Sequence, residues 1–230
     1  MPGRMWRPGE RMARRRVAIL ISGRGSNMAA LVAAAQAGDF PAEIALVLSN
    51  RPDAKGLAAA QAAGIATAVV DHVPFGKDRE AFEHALQREI EAHRIELICL
   101  AGFMRLFTPG FVTQWQGRML NIHPALLPAI KGLDTHARAL AAGVKIHGAT
   151  VHFVVPEMDA GPIIAQGALA VREDDTAETL AARVLAIEHR IYPLALRLLA
   201  EGRVRVENGR CRIEGARADD AVMLAPSIAP

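Results

Sequence analysis

From Val17 onward, apolar runs alternate with alanine-rich helical stretches, and this alternation constrains the fold more than any other feature of the chain. Strands separated by helical stretches are typical of βα units, in which the strands pair in parallel and helices cover the sheet. The first half of the chain therefore predicts an α/β fold with four strands, VAILIS, EIALVLSN, TAVV and ELICLAG, of which the first and the fourth are expected to be buried.

The pattern changes after Gly102. A strand that ends in polar residues is expected at RMLNIH, followed by two strands, GATVHFVV and PIIAQGALAV, that flank the loop PEMDAG. A helix begins after Asp134, which we expect to cap it. A long C-terminal helix is expected to break or end near Pro193. Asn208 and Gly209 predict the turn of a final hairpin.

Charge and composition suggest three parts. Residues 1–15 are interpreted as a basic, disordered leader, either a mis-assigned start or a short transit peptide, 16–215 as one domain, and 216–230 as a loose tail. Six arginines and one glutamate give the first 16 residues a net charge of about +5. The net charge of the whole chain is +3, so the remainder is mildly acidic, at about −2. With 51% hydrophobic residues in 230, this remainder can bury a sizeable core.

The same numbers argue against several classes of protein. Aromatic residues make up 4% of the chain and do not alternate with basic ones, so a nucleic-acid partner is not expected. The sequence contains no apolar run long enough to span a membrane. Two cysteines, Cys99 and Cys211, provide neither a disulfide framework nor zinc-ligand spacing, which favours a cytoplasmic location and no metal.

ISGRGSN follows the first strand and opens a helix. Gly23 and Gly25 allow backbone N–H groups to approach an anion, and the helix N-terminus favours phosphate there. The dinucleotide fingerprint is incomplete because Met28 occupies its last position. An ordinary tight turn between strand and helix is the alternative explanation of this motif.

LNIHP places Asn121 and His123 on the same face of a strand, because side chains alternate along a strand with period two. An amide donor beside an imidazole can hold an oxyanion and move a proton, the two requirements of acyl transfer. The alternative is a capping Asn and a packed His. Asp159 in PEMDAGPI is by itself a turn residue, but near His123 its carboxylate would favour the imidazolium.

The other histidines have no metal-binding spacing, and His72, His84 and His93 are expected to be solvated surface residues. A G-x-S-x-G nucleophile motif is absent from the sequence.

Six motifs in this order resemble the glycinamide ribonucleotide formyltransferases, which are folate-dependent enzymes of purine synthesis: ISGRGSN, LAGFMRLF, LNIHPALLP, HGATVHFV, MDAGPII and EHRIYPL. The resemblance extends from Val17 to about Gly215. It implies the formyltransferase fold, a Rossmann-like, mostly parallel sheet flanked by helices, with a C-terminal antiparallel hairpin. It also implies transfer of the formyl group of 10-formyltetrahydrofolate to the amine of glycinamide ribonucleotide, by a monomer or a homodimer.

The resemblance assigns roles to individual residues. It implies that Asn121, His123 and Asp159 are catalytic. Residues implied to hold the ribonucleotide are Gly25, Ser26, Asn27 and Glu188. Residues implied to line the folate site are Arg79, Met104, Arg105, Leu106, Phe107, Asn121, Val155, Pro156, Glu157 and Met158. One departure is Asp134, since many relatives have His at this position; we interpret Asp134 as a helix cap.

Three alternatives remain open at this stage. Formyltetrahydrofolate deformylase and methionyl-tRNA formyltransferase share the catalytic residues, but each has an additional domain for which a chain of this length is not expected to have room. A non-catalytic Rossmann-type nucleotide-binding module would leave Asn121, His123 and Asp159 unexplained. A pseudo-enzyme that retains only the fold is disfavoured by the complete catalytic triplet.

Overall fold

The computed structural model describes residues 14–217 together with Ala225. Within them, seven strands form one sheet in the order β3-β2-β1-β4-β5-β6-β7, and two more form a separate hairpin. The strands are β1 (Arg15–Ile21), β2 (Ala42–Ser49), β3 (Thr67–Val69), β4 (Leu97–Leu100), β5 (Met119–His123), β6 (Ile146–Phe153), β7 (Ile163–Ala170), β8 (Val204–Glu207) and β9 (Arg210–Ile213). Strands β1 to β5 pair in parallel, whereas β6 and β7 are antiparallel.

Helices connect the parallel strands and cover the sheet. They are α1 (Ser26–Ala35), α2 (Lys55–Ala62), α3 (Arg79–Ala92), α4 (Pro109–Gln114), α5 (Thr135–Ala141) and α6 (Ala177–Ala200), with a short 3₁₀ turn at Val73–Phe75. The predicted α/β architecture and the C-terminal hairpin around Asn208 and Gly209 are confirmed.

The core lies on both faces of the sheet, as alternation along β1 shows. Val17, Ile19 and Ile21 pack into one hydrophobic cluster and Ala18 and Leu20 into the other, and all five are fully buried. A strand buried on both faces must be apolar at every position, which explains the uninterrupted run that identified it in the sequence.

Two local predictions were wrong. Helix α6 continues through Pro193, because Tyr192, Ala195 and Leu196 around it are fully buried, and this packing offsets the lost backbone hydrogen bond. Asp134 occupies the N-cap position of α5, but its side chain makes no capping hydrogen bond to any described residue, and its backbone is left-handed at φ 55°.

The basic leader, residues 1–15, falls almost entirely outside the described residues, as does most of the tail, residues 216–230. Arg15, which we assigned to the leader, is the first residue of β1 and forms an ion pair with Glu96 at 2.7 Å. The division into leader, domain and tail otherwise stays a prediction. No described helix has the length and apolar character needed to cross a membrane.

Candidate active site

A cleft of about 410 Å³ opens at the carboxyl ends of β1, β2 and β4. Strand β1 lies between β2 and β4, so the chain crosses over to opposite sides of β1, and a crevice forms where the strand order reverses. The cleft is lined by residues that follow these three strands and by His72, which follows β3; the full set is Ser22, Gly23, Arg24, Gly25, Ser26, Asn27, Asn50, Arg51, His72, Ala101, Gly102 and Met104.

Gly25 shapes the wall of this cleft. It is the N-cap of α1 at φ 77°, and a Cβ there would lie 3.0 Å from the Cα of Gly56 and 3.2 Å from the Cε of Met28. Both the backbone conformation and the close approach require glycine. The turn exposes the first N–H groups of α1 to the cleft, an arrangement that suits an anion.

Asn27 connects this turn to α6. Its Nδ2 donates to Oε2 of Glu188 at 2.6 Å, while its own Oδ1 is buried without a partner among the described residues. Burial raises the pKa of Glu188, an effect that the bond from Asn27 and the nearby charges of His189 and His123 partly oppose. Four residues predicted from distant motifs, Gly25, Ser26, Asn27 and Glu188, are thus brought together.

Sequence analysis missed part of this cleft. His72, expected on the surface, is half-buried in the cleft wall, where its Nδ1 lies 2.8 Å from the carbonyl oxygen of Asn50. Ser22 donates to Oδ1 of Asn50 at 2.6 Å and accepts the backbone N–H of Met104 at 2.8 Å. No local signal identified these residues, because β1, β2 and β4 meet only in the folded sheet.

His123 lies at the carboxyl end of β5 and is 5% exposed. Its Nε2 lies 2.9 Å from the carbonyl oxygen of Ile130, and its Nδ1 lies 3.5 Å from Oδ2 of Asp159. A carbonyl only accepts, so Nε2 must carry a hydrogen. Nδ1 is therefore the nitrogen that faces the carboxylate.

Asp159 comes from the loop between β6 and β7, and its side chain is nearly buried. Its backbone adopts the left-handed conformation at φ 51°, and its Oδ2 accepts the N–H of Gly132 at 2.8 Å. The loop that provides Ile130 and Gly132 thus contacts both members of the pair.

Asn121 is held by His152, its neighbour on β6. The Nδ2 of Asn121 lies 3.3 Å from Nε2 of His152, whose Nδ1 lies 2.9 Å from the carbonyl oxygen of Phe153. Burial lowers the pKa of His152, so the ring is neutral at pH 7 and Nε2 accepts. This contact uses one amide hydrogen of Asn121 and leaves the other available.

A second histidine pair lies beside this group. His147 is buried, with its Nε2 3.2 Å from Nδ1 of His136. Burial, reinforced by the charge of His136, lowers the pKa of His147 to about 4, and burial also lowers that of His136. His123 differs from His136, His147 and His152 in its two contacts. Its Nδ1 faces a carboxylate within 4 Å, and its Nε2 donates to a carbonyl.

Apart from Asn121 on β5, the residues predicted to line the folate site lie on three exposed or partly exposed segments. Arg79 is exposed in the first turn of α3. Met104, Arg105, Leu106 and Phe107 follow β4, and Met104 also lines the cleft. Val155, Pro156, Glu157 and Met158 precede Asp159, and Glu157 forms an ion pair with Lys131 at 3.2 Å.

Within the described part of the chain, no three His, Cys, Asp or Glu side chains are grouped so that they could hold a metal ion.

Comparison with known proteins agrees with this architecture. A family model described as formyl transferase matches residues 15–196. The chain is 50% identical over 191 residues to the trifunctional purine biosynthetic protein adenosine-3 of Gallus gallus, a match that covers 83% of this chain and 19% of that protein. The chain therefore spans about a fifth of the length of this trifunctional relative.

Two shorter proteins are matched over nearly their whole length. Phosphoribosylglycinamide formyltransferase of Escherichia coli (strain K12) is 41% identical over 201 residues, which covers 87% of this chain and 94% of that protein. The crystal structure of glycinamide ribonucleotide transformylase 1 from Symbiobacterium toebii matches with a TM-score of 0.85 at 46% identity, covering 88% of this chain and 95% of the other. The chain belongs to the formyl transferase family, in the group of the phosphoribosylglycinamide formyltransferases.

Proposed function

We propose that the protein transfers the formyl group of 10-formyltetrahydrofolate to the primary amine of glycinamide ribonucleotide in purine synthesis. The observation that carries the proposal is the 3.5 Å approach of Asp159 to Nδ1 of His123, two residues from separate segments. The proposed enzyme is cytoplasmic and acts through one domain, residues 16–215.

In this proposal the ribonucleotide phosphate binds the N–H groups at the start of α1, where Gly25, Ser26 and Asn27 lie, and Glu188 contacts the ribose. Strands β4 and β5 are neighbours, with Leu100 paired to Asn121, which supports a reaction centre beside this cleft. His123 is also close enough to Glu188 for its charge to lower the pKa of that carboxyl slightly.

The formyl donor occupies the exposed side of the site. Met104 and Leu106, two residues apart on one segment, are 73% and 59% exposed, and Met158 on the loop before Asp159 is 53% exposed; exposed large apolar side chains of this kind are available to bind a ligand. They suit the flat, largely apolar faces of a pterin. Donor contacts are proposed from Arg79, Met104, Arg105, Leu106, Phe107, Asn121, Val155, Pro156, Glu157 and Met158.

Formyl transfer joins the amine nitrogen to the formyl carbon and breaks the bond from that carbon to the folate nitrogen. Negative charge develops on the formyl oxygen, where the free amide hydrogen of Asn121 and the Nδ1 hydrogen of protonated His123 donate. Asp159 stabilises the imidazolium and, through an ordered water, carries a proton from the attacking nitrogen toward the leaving one.

Orientation of the two substrates is expected to contribute more to the rate enhancement than any other single effect. One oxyanion donor contributes about 3 to 4 kcal/mol, and positioned proton transfer contributes roughly 10²- to 10⁴-fold. Holding two substrates in line contributes about 7 to 11 kcal/mol. The fixed contacts of His123 with Ile130 and of Asn121 with His152 serve this purpose, because each removes a rotational freedom before the reaction.

A direct assay tests the proposal. The purified protein is mixed with a 10-formylfolate donor, with and without glycinamide ribonucleotide, and the loss of the donor's formyl group is followed. We expect loss that depends on the acceptor, together with formylated ribonucleotide. Loss at the same rate without acceptor would refute the transfer and indicate a deformylase.

A further inference from the structure

The segment 102–108, between β4 and α4, carries four of the proposed donor contacts, and we call it the donor segment. It has no regular secondary structure, yet its inner side is firmly packed. The rings of Phe103 and Phe107 stack at 5.3 Å, and those of Phe107 and Phe111 at 4.7 Å. The outward side chains, Met104 and Leu106, therefore project from a fixed backbone.

Polar contacts hold both ends of the donor segment. At the beginning, the N–H of Met104 donates to Oγ of Ser22 at 2.8 Å. At the end, Thr108 donates to Glu83 twice, from its backbone N–H at 2.6 Å and from its hydroxyl at 2.5 Å. The first contact belongs to the ribonucleotide cleft, but the second lies away from it on α3.

Glu83 is an unusual residue for its position. It is 4% exposed and packs beside Phe82 and Leu86 on the buried side of α3, where an apolar residue would be expected. Within residues 14–217 it forms no ion pair with Lys, Arg or His. Burying a carboxylate is costly unless strong hydrogen bonds compensate it, and both of the bonds that Glu83 accepts come from Thr108.

Helix α3 holds the donor segment at a second point. The guanidinium of Arg105 lies 4.7 Å from the ring centroid of Phe82, and its Nη2 donates to the carbonyl of Gly76 at 3.2 Å. Arg79 begins the same helix, one turn before Glu83. The spacing between Arg79 and Arg105 is therefore set by how the donor segment sits on α3.

We propose that Glu83 is a positioning residue for the formyl donor, which acts by anchoring Thr108 and so fixing the donor segment relative to Arg79. This inference rests on the proposed function, since the donor contacts are part of that proposal. Without the anchor, the segment keeps its contact with Ser22 but loses its fixed end. Binding of the donor weakens, whereas the ribonucleotide cleft keeps its geometry.

Four variants test the role of Glu83. Glu83→Gln removes the charge and one acceptor, and Thr108→Val removes the hydroxyl; Thr108→Ser keeps both donors. Glu91→Gln removes an exposed carboxylate from the same helix and is the matched control. Initial rates are measured with each substrate varied in turn, and thermal unfolding is measured for every variant.

We expect Glu83→Gln and Thr108→Val to raise the KM for the donor about tenfold, because a small displacement of positioning groups weakens productive binding strongly. The KM for the ribonucleotide and kcat should stay within about twofold of wild type, as should all constants of Thr108→Ser and Glu91→Gln. If Glu83 only stabilised the fold, Glu83→Gln and Thr108→Val would be less stable and have a lower apparent kcat, but the KM for the donor would not rise relative to the KM for the ribonucleotide.

An unchanged donor KM in folded Glu83→Gln, or equal changes for both substrates, would overturn the inference while leaving the proposed function intact. If Glu83→Gln does not fold, the inference is tested with Thr108→Val, by comparing the change in the KM for the donor with the change in the KM for the ribonucleotide. Absence of transfer by the wild-type protein would instead refute the proposed function.

Discussion

His147 should make the stability of the folded protein depend on pH. Its side chain is 2% exposed, and burial, together with the charge of His136, lowers its pKa to about 4 from the value near 6.5 expected in the unfolded chain. Below pH 6.5 the unfolded chain binds a proton that the folded protein does not bind. The free energy of unfolding therefore falls as the pH is lowered from 6.5 to 4, and the full loss is reached below that.

The magnitude follows from the shift. Each pH unit well inside this window costs about 1.4 kcal/mol, and less near its two ends, so lowering the pH from about 7 to about 4.5 should remove about 2.5 kcal/mol. Other groups titrate in the same range, and a matched variant subtracts their effect. His147→Gln keeps a polar side chain of similar reach that does not titrate.

The assay is urea unfolding, followed by circular dichroism, at about pH 7 and about pH 4.5. The stability advantage of wild type over His147→Gln should shrink by about 2.5 kcal/mol between the two conditions. His84→Gln, which replaces an exposed histidine on α3, should show the pH dependence of wild type. If wild type and His147→Gln lose stability in parallel, the assigned pKa shift is wrong.

Three further predictions follow from single contacts. Asp159→Asn should lower kcat by about 10²- to 10³-fold with little change in ribonucleotide KM, measured by initial rates, and a near-normal kcat would exclude its part in proton transfer. Tyr192→Phe removes a hydroxyl that donates to the carbonyl oxygens of Leu100 and Leu120 at 2.9 and 3.3 Å, so the urea midpoint should report a loss of about 1 to 2 kcal/mol. Gly148→Ala would place its Cβ 1.9 Å from the carbonyl oxygen of Gly167, so the variant should unfold at a much lower temperature or not fold, and a wild-type Tm would contradict the strand packing.

Much of the candidate site could be predicted because its residues lie at the ends of strands. Asn121 and His123 share a face of β5 by the period of a strand, and Gly25 follows β1 at a turn that needs glycine. The roles assigned to Asp159 and Glu188 came from resemblance to a family, since neither has a local pattern that separates it from a turn residue or a helix surface residue.

Other features of the site could not be predicted, because they depend on contacts that form only in the folded chain. His72 follows β3 and looked like a surface residue, yet the parallel sheet places it in the cleft wall. Glu83 is not distinguished by any motif in the sequence, and its contacts with Thr108 form only when α3 and the donor segment pack together. The roles of the nitrogens of His123 depend on the carbonyl of Ile130, which a loop delivers from seven residues away.

The sequence by itself determined the α/β class, the order of the strands along the chain and the polar residues that end them. The reason is that the spacing of apolar residues is a local property and distinguishes strands from helices. Only the tertiary structure decided that α6 runs through Pro193 and that Asp159 faces Nδ1 of His123. Each of these depends on the packing and hydrogen bonding of segments that meet only after folding, and such interactions are strong enough to override the local preference of a single residue.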